Sequence, residues 1–438
     1  MADKTKVLHV LHNHPSLYPG GPERYGLELH EAMQRSEEFE SLLVARVGSE
    51  AEESRRHRPG APFRSLDGNP AQSLVVLEHG GFDFLDLTYR DKSVYTFHFA
   101  EFLRGHRPDV VHLQHPLFIG SEVATIARRV VPSAVIVQTL HDYTHICHRD
   151  GKFVRTRSEA LCSHASPRRC HECFPEISEE SFFLRERFIK GHLRHVDAFL
   201  APNRFVLNRY LEWGLPPEKL HIQELGFPSL GVATDPYEDR PRTRLGFFGE
   251  LSPYKGLDVL LQSMTLVRDA DPPVELRIFG RNLWKYSDEH QARFAELLQQ
   301  AGDNTVFAGL DWSDEVGSSW GLANAHPRTL TDVMLQVDWV VVPSRWWEGS
   351  AFIVLEAFRH RRPVICSGIG ALADLVTHGM NGLHYPGSGP GDLAAVLRTA
   401  TATPGLWERL REGIPTVQSM DEHLQDLSGI YRQCLQAA

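Results

Sequence analysis

The chain has 438 residues, enough for about two to three domains of ordinary size. With 42% hydrophobic and 23% charged residues it has an ordinary globular composition, which excludes a disordered or collagenous chain. A net charge of −10 and a pI near 6.2 exclude the strong basic excess of a general nucleic-acid binder, and no apolar run approaches the ~20 residues needed to span a bilayer.

KVLHVLH, at 6–12, predicts a first strand. It follows a charged start without a signal-peptide core, so a cytoplasmic location is expected. Pro19-Gly20-Gly21-Pro22-Glu23-Arg24 comes next, and its glycines permit a tight turn and close backbone approach to a ligand. Leu27, Leu29 and Met33 place a helix over 25–33, and a second strand is expected over 41–47. The charged stretch 50–62 reads as a surface loop. Apolar and alternating runs within 72–95 read as strands, with room for a local hairpin. After a helix over 96–103, DVVHL (109–113) and AVIVQTL (134–140) predict buried strands joined by a helix over 121–130, a βαβ unit. The later strand ends in Thr139-Leu140-His141-Asp142-Tyr143. The carboxyl end of a parallel strand is where ligands bind, so His141 leads the histidine candidates, ahead of His112 and His115.

Cys147, Cys162, Cys170 and Cys173 follow, in the spacing C-x14-C-x7-C-x2-C. Four thiolates complete a tetrahedral zinc site, and C-x2-C is a usual half-site. The intervening segment has little apolar content, and a bound metal offsets the entropy of ordering it. A site of four cysteines has no open position, so the expected zinc is structural. An iron–sulfur cluster, free thiols and a redox disulfide are the alternatives.

A basic amphipathic helix is expected over 181–196. It packs through Phe183, Leu184 and Phe188, or it touches an anionic membrane surface. A short strand (198–201) and a helix (202–211) close the first half. The stretch 225–243, rich in Pro, Gly and charge, reads as an interdomain linker. RLGFFG, 244–249, opens the second half. Ser252-Pro253 reads as a helix N-cap with Pro in the first turn, which places Lys255 in that turn beside free N–H groups able to hold a diphosphate. ELRIFG, 275–280, is the next strand, and Gly280, like Gly249, leaves room for close approach. A helix over 287–301 and a strand over 305–310 precede a polar stretch, 311–328, with room for a lid or a partner surface.

The densest signal is VVVPSRWWEGSAFIVLEAFRHRRPVICSGIGALAD. It predicts a strand over 340–343, a loop over 344–350, a helix over 351–359 and a strand over 363–367. Glu348 lies in the loop and Glu356 on the helix, with seven residues between them. Gly349, Ser350 and Ala351 lead into the first helical turn, whose free N–H groups suit an anion. Helices are expected over 392–400, 404–413 and 420–438.

These words resemble glycosyltransferase family 4, retaining enzymes with an E-x7-E signature. The resemblance rests on VVPS, EAF and RPVICS around the two glutamates, on GELSPYKG at 249–256, on T-x-H-D at His141, and on the strand–Gly-Gly–helix start. It implies the α/β GT-B fold: two Rossmann-like domains facing a cleft, here with a Cys-rich insertion at 145–175. The N-terminal acceptor domain would span 1–230 and the donor domain 231–419, and a final helix, 420–438, would cross back. It implies that Glu348 lies near the donor sugar and Glu356 binds the ribose. Lys255 would meet the diphosphate, and His141 would face the sugar or acceptor. Gly20, Gly21, Gly249, Gly280, Gly349, Ser350 and Ala351 would line the donor. The family motif carries Arg where this chain has Glu250, which would repel phosphate. Arg281 or Arg345 would then supply the missing cation. The implied reaction moves a sugar from a UDP- or GDP-linked donor to a glycan or lipid-linked acceptor, in bacterial polysaccharide or glycoconjugate synthesis, with peripheral membrane contact as an option and no catalytic metal.

Three rivals remain at this level. G-x-G-x-x-A at 368–373 matches a dinucleotide fingerprint and allows an oxidoreductase. Glu250 allows a catalytically inactive GT-B scaffold. A GT-B sugar epimerase shares the architecture without these words.

Overall fold

The computed structural model describes residues 4–18, 20–48, 63–66, 69–229, 240–308, 330–387 and 389–437, without the side chains of Arg64 and Arg281. The loop expected over 50–62, the polar stretch 311–328 and the centre of the linker, 230–239, lie outside them. The chain forms two compact units: Met1–Ser229 with Gln418–Ala438, and Leu230–Val417.

Unit 1 is built on a sheet of β1 (Thr5–Leu11), β2 (Phe39–Val47), β3 (Phe63–Leu66) and β4 (Asn69–Val76), then, beyond the small antiparallel hairpin of β5 (Phe82–Asp83) and β6 (Thr88–Tyr89), β7 (Val110–Leu113), β8 (Val135–Thr139), β9 (Ala198–Ala201) and β10 (Leu220–Ile222). The order is β10-β9-β8-β7-β1-β2-β4-β3. Every pairing is parallel except β3 with β4, whose register also shifts between Ser65 and Leu66. The order reverses at β1, which pairs with β2 on one side and β7 on the other. The crevice at the carboxyl ends of β1 and β7 is therefore the switch point, where open α/β sheets bind ligands.

Unit 2 repeats the plan with β11 (Arg244–Glu250), β12 (Glu275–Arg281), β13 (Thr305–Phe307), β14 (Trp339–Val342), β15 (Val364–Cys366) and β16 (Gly382–His384), ordered β13-β12-β11-β14-β15-β16 and parallel throughout. Alternate residues feed two cores. Leu245, Phe247, Trp339 and Val341 face one layer of helices, and Phe248, Val340 and Val342 the other. Strands buried on both faces read as continuous apolar runs, which is why RLGFF and WVVV stand out in the sequence.

Several local expectations change. The first helix is Gly21–Arg35, so Gly21 begins it rather than preceding it, with Pro at the first turn. The helix expected over 96–103 is a π-helical turn, Val94–Phe99, continued as Ala100–His106. The basic helix is Glu179–Leu193, and it buries Phe182, Arg185, Ile189 and Leu193. Phe183 and Leu184, expected to pack, are more than half exposed, because the buried stripe runs through 182, 185, 189 and 193 beside them. The last helix, Met420–Ala437, packs on unit 1. Its Tyr431 hydroxyl lies 2.7 Å from His112 Nδ1, and its His423 Nε2 lies 2.6 Å from the Tyr25 hydroxyl.

Candidate active site

In unit 2 the switch point lies between β11 and β14. β11 ends in Gly249, at φ +145° with open space where a Cβ would sit, and Glu250. The expected helix start differs: Pro253–Lys255 is a separate 3-10 turn, and the α-helix begins at Leu257. Ser252 makes no side-chain cap. Between the two elements Gly256 sits at φ +69°, and a Cβ there would lie 1.9 Å from the Pro343 carbonyl oxygen. Lys255 is thus held in a turn, not in the first turn of the helix, and close contact of Gly256 with the end of β14 brings it to the loop carrying Glu348.

The pairing is direct. Lys255 Nζ lies 2.7 Å from Glu348 Oε1. The same oxygen accepts from Ser344 Oγ at 2.5 Å and Trp346 Nε1 at 2.8 Å. Burial raises the Glu348 carboxyl, but the Lys255 charge and these hydrogen bonds outweigh it and hold the group below the usual carboxylate range. Lys255 also sits 5.2 Å from the Trp346 ring centre.

Glu356 lies on the helix Phe352–Arg359, entered through Ala351 in a left-handed conformation, φ +42°. Its side chain is 1% exposed. Oε2 accepts from Arg359 Nη1 at 2.7 Å. Oε1 is buried and has no hydrogen-bond partner among the described residues. A carboxylate oxygen left so is costly unless a ligand donates to it. Gly349 and Ser350 form the turn just before this helix, and Ser350 is buried.

The remaining candidates separate. Gly280 is close-packed, since a Cβ there would lie 2.2 Å from Leu251 Cδ2, so its small size serves packing rather than ligand approach. Arg281 pairs in register with Glu250, and its side chain lies outside the described atoms. Glu250 accepts from Asn282 Nδ2 at 3.3 Å. Arg345 is tied to Asp258 at 3.1 Å. The G-x-G-x-x-A stretch follows β15, not the first strand of its sheet, and leads into a helix of five residues, Ala371–Leu375. Both features depart from a dinucleotide site.

In unit 1 the switch point gathers imidazoles and acids. His12, just past β1, lies 2.8 Å from Glu23 Oε1, and Asn13 Nδ2 donates to the same oxygen at 3.4 Å. Burial raises Glu23, yet His12 and these bonds pull it to about 2. Gly20 is required beside it, because a Cβ would meet the Glu23 carboxylate at 2.2 Å. Gly21 begins the helix that carries Glu23. After β7, His115 Nε2 lies 2.9 Å from Asp142 Oδ2, and the His12 and His115 rings are 4.4 Å apart. Burial opposes the charge on both partners, but their mutual attraction raises His115 and holds Asp142 well below the carboxylate range.

His141 is buried at the end of β8, its Nε2 3.1 Å from Gln114 Oε1. Burial, then His115, push it down to about 3, so it is neutral near pH 7. His112 is structural: its two ring nitrogens meet Tyr431 and Thr139, each at 2.7 Å. Motif reading missed His12, Glu23 and Asp142. The usable signal was position, since His12 and Asp142 each follow a strand's carboxyl end. The pairings themselves span 11 and 27 residues and belong to the fold.

Each unit carries a doubly wound sheet, and that of unit 2 ends in a lysine–carboxylate pair and a buried carboxylate oxygen without a partner among the described residues. The profile described as glycosyl transferases group 1 matches residues 242–402. That described as glycosyl transferase 4-like domain matches residues 20–226. The chain belongs to glycosyltransferase family 4, with the GT-B fold. A D-inositol 3-phosphate glycosyltransferase of Rhodococcus jostii is 28% identical over 408 residues, covering 92% of this chain and 82% of the relative. The protein of that name from Jonesia denitrificans is 29% identical over 214 residues, 45% of this chain, and the match spans under half of its length, 46%. Sucrose-phosphate synthase from Thermosynechococcus elongatus superposes with a TM-score of 0.67 at 16% identity, over 99% of this chain and 100% of the other. HepE of Anabaena, in complex with UDP and glucose, gives 0.62 at 16% identity, over 98% and 100%. These two likenesses carry the fold alone.

Proposed function

We propose that the chain moves a sugar from a nucleoside diphosphate sugar to a glycan or lipid-linked acceptor, with retention at the anomeric carbon, in bacterial polysaccharide or glycoconjugate synthesis. The observation that carries this reading is the orphan Oε1 of Glu356, a buried acceptor suited to the ribose hydroxyls. Lys255 stands ready for the diphosphate. Its ammonium is neutralised by Glu348 until phosphate oxygens share it, and negative charge grows on those oxygens as the sugar leaves. Gly249 leaves backbone space for the phosphates, and the turn Gly349-Ser350-Ala351 presents the N-terminus of the Glu356 helix. Glu348, fixed by three donors, orients the sugar. His141, neutral and buried, acts toward the sugar or acceptor from unit 1.

HepE is solved with UDP, which makes uridine the first donor nucleoside to try, and the relatives named for D-inositol 3-phosphate make a phosphorylated polyol one acceptor to try. No helix among the described residues is long and apolar enough to cross a membrane. The exposed Phe183 and Leu184, on a helix with Arg187 and Lys190, support peripheral contact where a lipid-linked acceptor sits. The test is a thermal-shift panel of UDP, GDP and ADP with their sugars, NAD and NADP serving as controls. A shift with one nucleoside diphosphate and its sugar, lost in Glu356→Ala, is expected. Silence with every nucleotide would favour the inactive scaffold.

A further inference from the structure

The four cysteines that the transfer reaction does not use come together. Cys147 ends a turn closed by its N–H to the Tyr143 carbonyl. Cys162 follows the bridge between Val154 and Leu161. Cys170 and Cys173 lie three apart on the helix Pro167–Cys173, hence on one face. All four line a single small cavity of about 20 Å³, with His148, Arg149, Phe153 and Arg169 among its other walls. None of the four is in a disulfide.

Three features fit a metal held by four thiolates, a centre that carries two negative charges. The helix Pro167–Cys173 buries none of its residues, so apolar packing does not hold it. Arg185 is buried, and its guanidinium bonds the carbonyls of Thr144, His145 and Ile146. Among the described residues it forms no carboxylate ion pair, and its Nε, like that of Arg169, is a buried donor without an acceptor. Burial favours the neutral Cys147 thiol, and the backbone N–H groups of Arg149 and Phe153 near its sulfur work against that. Cationic neighbours and N–H donors aimed at sulfur are what a thiolate cluster needs.

We propose that Cys147, Cys162, Cys170 and Cys173 bind one structural Zn2+. Four thiols lose four protons, and the resulting centre carries two negative charges that Arg169 and Arg185 balance, Arg149 being paired with Glu159. Among the described residues no three ligating side chains are already set at coordination distance. The sulfurs therefore close on the ion by side-chain rotation about a cavity they already share. Closure to four sulfurs leaves no site for water, so the metal holds the 147–173 segment rather than acting on substrate.

The test uses the full chain purified without a histidine tag. Metal analysis is expected to find about one zinc per chain, released by a mercurial that titrates four thiolates. Exchange for Co2+ in the wild type should give sulfur-to-cobalt charge transfer with the intense visible bands of a tetrahedral site, which needs no variant to fold. Cys170→Ser with Cys173→Ser should abolish both signals. Iron with labile sulfide, four thiols freely titratable without metal release, or zinc retained by the double variant would each overturn the proposal.

Discussion

At the switch point of unit 1 the chemistry is imidazole against carboxylate: His12 with Glu23, His115 with Asp142, and a neutral His141 beside them. At the switch point of unit 2 it is ammonium against carboxylate, Lys255 with Glu348, plus the half-satisfied Glu356. The sheets share one plan, yet the first gathers imidazoles whose environments push them apart, His115 raised beside Asp142 and His141 pushed down by burial. The second sets an ammonium against a carboxylate that its donors hold below the usual range. The lesson is that one topology places residues but does not choose how they respond to protons.

The largest expected effect falls on the ammonium–carboxylate site of unit 2. Lys255→Ala should lower kcat roughly 10²–10³-fold, the scale for losing one donor to developing charge. A steady-state assay with the donor sugar checks it, and unchanged turnover would detach Lys255 from the chemistry. Glu356→Ala should act differently, raising the donor KM about 10- to 100-fold while kcat stays close to wild type, since hydrogen bonds to a charged group are worth about 1.5–3 kcal/mol. Calorimetric titration with the nucleoside diphosphate separates these two outcomes.

Next in size is acid stability. His112, His141 and His145 are each pushed down to about 3, and His423 to about 4, by burial. Below pH 6.5 the unfolded chain binds protons that these groups refuse, so stability falls as pH drops, at up to about 1.4 kcal/mol per pH unit for each. The His115–Asp142 pair behaves otherwise. Its contribution is complete between the unfolded values, roughly pH 4 to 6.5. It is lost as pH falls through the depressed Asp142 or rises through the raised His115. All these groups are in unit 1. Calorimetry from pH 7.5 to 5 should therefore show the unit 1 transition falling first, while tryptophan emission from the buried Trp339 and Trp407 of unit 2 holds. Simultaneous loss would break the contrast.

A smaller effect tests the hinge of the lysine turn. Gly256→Ala meets both a positive φ and the Pro343 carbonyl, and should cost about 1–3 kcal/mol. Smallest is Glu250→Arg, which restores the family's cation. A several-fold tighter nucleoside diphosphate is expected, read by titration, and no gain would mean that the phosphates do not reach that position.

Much of the frame was legible because both sheets are parallel and buried on both faces. VVVP and RLGFF read as strands at once, and Glu348 and Glu356, with seven residues between them, fell on a loop and a helix as expected. What escaped depended on contacts distant in sequence. Gly280 looked like space for a ligand until Leu251 proved to fill it. Lys255 looked helical because Ser-Pro imitates a cap, but Gly256 interrupts the helix there. The Glu23 and Asp142 partners are invisible without strand order, as is the buried stripe through 182, 185, 189 and 193 that leaves Phe183 and Leu184 outside.

The final helix carries a consequence for synthesis. Unit 2 is continuous in the chain, whereas unit 1 is completed only by 418–438, through His423 on Tyr25 and Tyr431 on His112. Unit 2 is in effect a guest inserted in its host. During translation the guest can mature while the host waits with its sheet uncapped, exposing the faces of Tyr25 and His112 until the last helix emerges. A chaperone that binds this nascent chain should therefore find its target in the half made first.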